Sequence, residues 1–331
     1  MSLIDVNLHV LVGNATNPAL SLLSYDSSFA DVIGNNTTAQ LIANLDWPPS
    51  TRHNTLYVSS NYASLADNIN ITAFSLNDYS VISTQFAGLT MANGGSSYYP
   101  PGADEHATPP QQVWCDQGDL ESYAQLLAVD VNTNTSEPLI IGYNGRNLTS
   151  VNDVRQYPVT GDLWFTDPEY GHIQNFRTEP QLPRQVYRFE PSTGVIQVVV
   201  DGFHEPNGLE FSPDYKTLRT GPATIYAFDI IDNKRLGGKR VADSGTPDGI
   251  HTDTDGNVWV GCGDGVHVWN PEGTLLGKIF IGEASSNFAF APGKILVFAD
   301  YRLWVVDGIN ALGREVCKDF GIDSDSRCLK H

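Results

Sequence analysis

Three residues in this chain share one place in a recurring pattern. Asn152 stands in Ser-Val-Asn-Asp-Val, Asn207 in Pro-Asn-Gly-Leu-Glu-Phe and Asp248 in Pro-Asp-Gly-Ile-His. A carboxylate and two carboxamides are hard oxygen donors. Brought to one point they would suit Ca²⁺ or another divalent cation, which accepts such oxygens in loose geometry. Taken singly, each is equally a turn residue that satisfies its own backbone. Asp167-Pro168-Glu169-Tyr170-Gly171 ends an apolar run and reads either as a channel mouth or as a plain turn. Asp253-Thr254-Asp255-Gly256-Asn257 begins like a calcium loop but lacks the later ligands and the closing Glu, so it reads as a hairpin turn. Gly261-Cys262-Gly263-Asp264-Gly265 has the wrong spacing for a dinucleotide fingerprint. No G-x-S-x-G elbow or H-E-x-x-H pair supports a serine hydrolase or a zinc protease.

What must position the three residues is a repeat. Pro247 to Ile279 reads as four short antiparallel strands separated by Asp-Gly, Asp-Gly and Pro-Glu-Gly turns, which is one blade of a β-propeller. Asp248 heads its innermost strand. Comparable heads fall at Asn152, Asn207 and Asn287, about 40 to 55 residues apart. No stretch shows a sustained helical period. The expectation is therefore an all-β, six-bladed propeller filling one domain, with residues 1–46 as an N-terminal segment and 308–331 as a C-terminal tail. The first blade is built on Thr55–Asn61 and Asn70–Leu76, and Phe29–Ile33 and Gln40–Leu45 read as earlier strands. Residues 87–118, rich in Gly-Gly and Pro-Pro pairs, read as a long loop.

The 331 residues carry a net charge of −19. That excludes nucleic acid and anionic membrane surfaces as partners and does not oppose a divalent cation. No apolar run is long enough to cross a membrane as a helix. Asn-X-Ser/Thr sequons at Asn14, Asn35, Asn36, Asn70, Asn134 and Asn147 favour a secreted chain. The first residues lack the basic region and cleavage site of a signal peptide, which leaves a cytoplasmic chain open. Of the four cysteines none forms a CxxC pair. Cys317 and Cys328 flank a short polar stretch and would staple it in an oxidising compartment.

The segments VND, LWFTDPEYG, QVYRFEP, PNGLEFSPD, IYAFD, PDGI, GNVWVG and SNFAF together resemble the regucalcin/gluconolactonase family, including luciferin-regenerating enzymes, and most of all its fungal lactonohydrolase branch. The resemblance runs from about Thr55 to Asp307. It implies a six-bladed propeller holding one catalytic divalent cation, usually Ca²⁺, with two Asn and one Asp ligands that carry over onto Asn152, Asn207 and Asp248. The family's first-blade Glu ligand does not carry over: Asp46-Trp47-Pro48-Pro49 runs straight on where it would stand. Asp104-Glu105-His106 is the nearby acidic replacement, with Glu105 at the substrate. A second gap follows Leu218, so the first and fourth blades are expected to lack an inner strand.

The resemblance implies lactone hydrolysis, with the cation as a Lewis acid and Asp248 as ligand and general base. It also implies that Tyr170 lines the substrate pocket. His251 reads as a proton shuttle or as a histidine packed between blades. The missing Glu keeps a second reading alongside: a propeller that has lost its metal and binds or cyclises an apolar fungal secondary metabolite in the same channel. Both readings have a small-molecule partner and a monomer or weak dimer.

Overall fold

The computed structural model describes residues 9–13, 21–26, 28–34, 38–42, 55–59, 70–104, 110–221, 224–244, 247–299, 302–320, 322 and 325–328. The described strands group into seven sheets, six arranged as the blades of a propeller with antiparallel neighbours and the seventh a two-stranded hairpin of Gly142–Tyr143 and Arg146–Asn147. The fifth blade is Ile250–Thr252, Val258–Cys262, Gly265–Trp269 and Leu275–Phe280, as the Asp-Gly turns predict. Its outer edge is extended by Ser21–Ser24 and then His9–Gly13.

The sixth blade closes the ring. Asn287–Ala291, Lys294–Ala299 and Arg302–Asp307 come from the end of the chain. Their outer strand is Thr38–Ile42, paired so that Thr38 lies opposite Asp307 and Ile42 opposite Leu303. This pairing ties an early segment to the end of the chain and so closes the ring. After it the chain returns beneath the fifth blade, where Gly313 bridges Asp253 and Arg314 N–H donates to Thr252 O at 2.9 Å. Cys317 and Cys328 form a disulfide just beyond, while Cys115 and Cys262 are buried thiols.

The core lies between blades. Trp114, Trp164 and Trp259 occupy the second strands of the second, third and fifth blades and are 4%, 0% and 0% exposed. At roughly 25 cal/mol per Å² of apolar surface, such side chains dominate the packing.

Three expectations are corrected. Phe29–Ile33 is a helical turn, not a strand. Phe29 and Ile33 are four residues apart and fully buried in one cluster, which a helix allows by placing both on one face. Residues 87–118 are not a long loop, since Ala92–Tyr98 and Gln111–Asp116 are the two inner strands of the second blade. Gly94 there is a close-approach glycine: a Cβ on it would lie 2.6 Å from Asn152 O. The fourth blade is complete, with Leu209–Phe211, Thr217–Thr220, Thr224–Ile231 and Arg235–Ser244. Leu218 and Arg219, beside the supposed gap, form its second strand opposite Phe211 and Glu210. The first blade shows three strands among the described residues, Thr55–Ser59, Ile71–Ser75 and Val81–Thr84.

Candidate active site

Hydrogen bonds between consecutive blades tie the strand heads together. Gly94 N–H donates to Asn152 O at 2.7 Å, and Gly208 N–H to Asp248 O at 3.2 Å. Gly249 N–H donates to Ser286 O at 2.9 Å, and Thr166 Oγ1–H to Asn207 O at 2.9 Å. These contacts link the second to the third blade, the third to the fourth, the fourth to the fifth and the fifth to the sixth. They hold Asn152, Asn207 and Asp248 at equivalent places around the axis. Gly208 and Gly249 are required because a Cβ on either would overlap its neighbour, the Asp248 carbonyl or the Asn287 side chain.

Side chains meet at Asp248. The Asn207 amide hydrogen-bonds to its carboxylate, and Asn207 Nδ2 also donates to Tyr170 Oη at 3.4 Å. Burial pushes the Asp248 carboxyl up to about 7, and the charge of Asp153 adds to the rise while Asn207 opposes it. No Lys, Arg or His among the described residues pairs with it. Burial, with the charges of Asp248 and Glu205, pushes the Tyr170 phenol up to about 12. The side chain of Asn152 is buried.

The loop that carries Tyr170 is anchored on both sides. Asp167 accepts from Thr149 N–H and Ser150 N–H at 3.0 and 2.8 Å, which fixes the approach to Asn152. Gly171 N–H donates to Ser150 Oγ, which itself donates to Gln117. Glu205 accepts from Glu169 N–H at 3.0 Å and from Arg184 at 2.9 Å, beside Tyr170. Glu205 was not singled out from sequence; its only signal there is its place two residues before Asn207.

His251 lies between blades, with Nδ1 2.9 Å from Glu315 Oε1, Nε2 3.3 Å from Asn287 Oδ1, and its ring 4.7 Å from that of Phe288. Of the two roles read for it, the geometry shows the packed one. Glu105 lies outside the described residues, as does the stretch before Thr55 where the family's Glu would stand. Asp253 accepts from Asp255 N–H, Asn257 N–H, Asn257 Nδ2 and Trp259 Nε1, so it is a saturated turn residue.

A second tier sits three residues along each inner strand, at Arg155, Glu210 and His251. Arg155 bonds Asp153 at 2.9 Å and Glu210 at 3.2 Å, and Arg314 bonds Glu210 at 2.7 Å. Glu210 is 0% exposed. The ligand atoms of Glu210, His251 and Glu315 lie within 4.8 Å of one another, as a metal would need. Both Glu210 oxygens are already held by guanidinium groups, however, whose charge opposes a cation. This tier is an ion-paired floor beneath the Asp248 site. Shared register was its sequence signal, hidden because arginine, glutamate and histidine look unlike.

Residues 86–297 match the SMP-30/Gluconolactonase/LRE-like region family. Over 200 residues the chain is 34% identical to lactonohydrolase oryL of Aspergillus oryzae, covering 51% of this chain and 46% of that protein. The chain thus spans less than half of that relative's length. A gluconolactonase structure from Xanthomonas campestris superposes with a TM-score of 0.68 at 24% identity, covering 86% of this chain and 94% of that one. A regucalcin structure from Agrobacterium tumefaciens, a calcium-binding protein, superposes with a TM-score of 0.56 at 17% identity, covering 74% and 84%. At these identities both structures speak to the shared fold.

Proposed function

The chain belongs to the SMP-30/gluconolactonase/LRE-like family, and on that premise we propose that it opens lactone rings at Asp248 with the help of a divalent cation. One observation carries the reading. Asp248 is a part-buried carboxylate at a blade head equivalent to Asn152 and Asn207, joined to Asn207 and without a cationic partner among the described residues. A carboxylate so placed can serve both as a cation ligand and as a general base. The names of the lactonohydrolase and gluconolactonase relatives support the reaction class, and the calcium-binding regucalcin supports the cation.

The residues fit such a cation in donor type: one carboxylate and two carboxamides, all hard oxygens, with an uncompensated negative charge among them. Asn152, Asn207 and Asp248 would hold it. When bound, it supplies Lewis acidity at the lactone carbonyl. Asp248 takes a proton from water as the water oxygen bonds to the carbonyl carbon. The ring C–O bond breaks, and the proton passes to the departing ring oxygen, leaving a hydroxy acid. Tyr170 stays protonated at neutral pH. Because its oxygen accepts from Asn207, its own proton is left to donate to a substrate oxygen. The Cys317–Cys328 bond supports a secreted chain, since such bonds persist in oxidising compartments.

Asp248→Asn tests this directly. It should lower the rate of glucono-1,5-lactone opening by about 10²- to 10⁴-fold while circular dichroism stays unchanged. A folded variant that opens the lactone at the wild-type rate would overturn the assignment.

A further inference from the structure

The fourth and fifth blades do not close completely on each other. Between them lies a cavity of about 560 Å³ walled by Arg219, Ile225, Ala227, Val258, Trp269 and Pro271. None of these belongs to the Asp248 site. Strand alternation explains the arginine. Leu218 packs towards Trp164 and Tyr157 of the third blade, so Arg219 turns to the fifth. There it meets an apolar layer that includes Ile250, Val258, Val260 and Trp269.

Arg219 is 7% exposed and Trp269 4%. Arg219 Nη1 and Trp269 Nε1 are both buried donors without a hydrogen-bond partner among the described residues. The acidic groups near Arg219 are engaged elsewhere. Glu210 holds Arg155 and Arg314, Asp253 is saturated by its own turn, and Asp214 accepts from Ser212 Oγ and Lys216 N–H. Burial lowers the Arg219 pKa, with the nearby acids only partly opposing. A buried donor without a hydrogen-bond partner is a costly feature. Arg240, paired with Asp229, also lines the cavity, as do the acids Asp214 and Glu272.

We propose that this inter-blade cavity binds a small organic carboxylate, with Arg219 as its counter-ion and the Trp269 indole N–H as a second donor. A guanidinium matches a carboxylate through two parallel hydrogen bonds. Ile225, Ala227, Val258 and Trp269 stand in the wall beside polar Ser212, Thr217 and Asn270, and this mixed lining, with a volume in the range of organic-ligand pockets rather than of a bare inorganic ion, suits an organic anion. The site stands independently of lactone opening.

The test uses the full chain, with thermal unfolding and calorimetric titration against sodium benzoate, sodium hexanoate, benzamide and sodium phosphate. At least one of the two carboxylates should raise the melting temperature and bind saturably, whereas benzamide and phosphate should do neither. Arg219→Met should abolish that binding and raise the melting temperature of the ligand-free protein, because it removes a buried donor that has no hydrogen-bond partner among the described residues. Trp269→Phe, which removes the N–H and keeps an aromatic ring, should weaken carboxylate binding severalfold and decides the matter if the Arg219 variant does not fold. The proposal is overturned if neither carboxylate binds, if binding is the same in Arg219→Met, or if Trp269→Phe binds as tightly as wild type. Phosphate binding as tightly as the carboxylates would also overturn it, in favour of an inorganic-anion site.

Discussion

Asn207 of the fourth blade hydrogen-bonds through its side-chain amide to the carboxylate of Asp248 in the fifth. Backbone repeats this link one residue on, where Gly208 N–H reaches Asp248 O. Two blades thus meet at the group assigned as base, and the position of that base depends on how they pack.

The pH dependence of the metal-free protein follows from Asp248. Its folded pKa, about 7, lies above the ordinary 3.8. Between those values the folded state keeps a proton that the unfolded state has released. Stability from this group is therefore full at the acid end and lost as pH rises through the window. Urea midpoints of chelator-treated wild type and Asp248→Asn should diverge between about pH 4 and about pH 7, with the variant gaining relative stability at the upper end. A constant difference would contradict the assignment.

Gly208→Ala should be costly although the backbone conformation there is ordinary. The added methyl would overlap the Asp248 carbonyl, and overpacking of this kind costs about 1–3 kcal/mol. Gly263→Ala, with open space around its Cβ, is the control and should change stability by no more than about 0.5 kcal/mol. Equal urea midpoints for the two variants would mean that the inter-blade contact is not tight.

Glu210→Ala should destabilise the fold by about 3–5 kcal/mol, because it strands Arg155 and Arg314 in the interior. Chemical denaturation measures the loss. If this tier held a metal instead, the variant would lose metal on dialysis with only a modest change in the metal-free protein. The ion-paired floor predicts the reverse.

The fifth blade was legible because Asp-Gly turns and the apolar segments Val258–Val260 and Val266–Trp269 obey local rules. Register of the three heads was legible for the same reason. Gly94-Gly95 was not: glycine marks a loop by propensity, yet here it marks a strand pressed against the third blade, a relation between residues far apart in sequence. A strand reads at Gln40–Leu45 and stands at Thr38–Ile42, but its pairing with Arg302–Asp307 is a ring closure that no local pattern announces. The floor of Arg155, Glu210 and His251 stayed hidden although its members share a register, because their side chains differ in type, and Arg314, which completes it, comes from far along the chain. Arg219 reads beside a gap after Leu218, and its place in the second strand of the fourth blade shows only in its pairing with Glu210.

The most direct measurement is the rate of glucono-1,5-lactone opening followed by pH-stat on one preparation in three states: as purified, after exhaustive chelation, and after Ca²⁺ is restored. The account predicts that chelation removes the activity and that the cation restores it, with Asn207→Ala needing more Ca²⁺ than wild type for the same rate. Chelated protein that opens the lactone as fast as the untreated sample would contradict the account and leave the metal-free channel reading in its place.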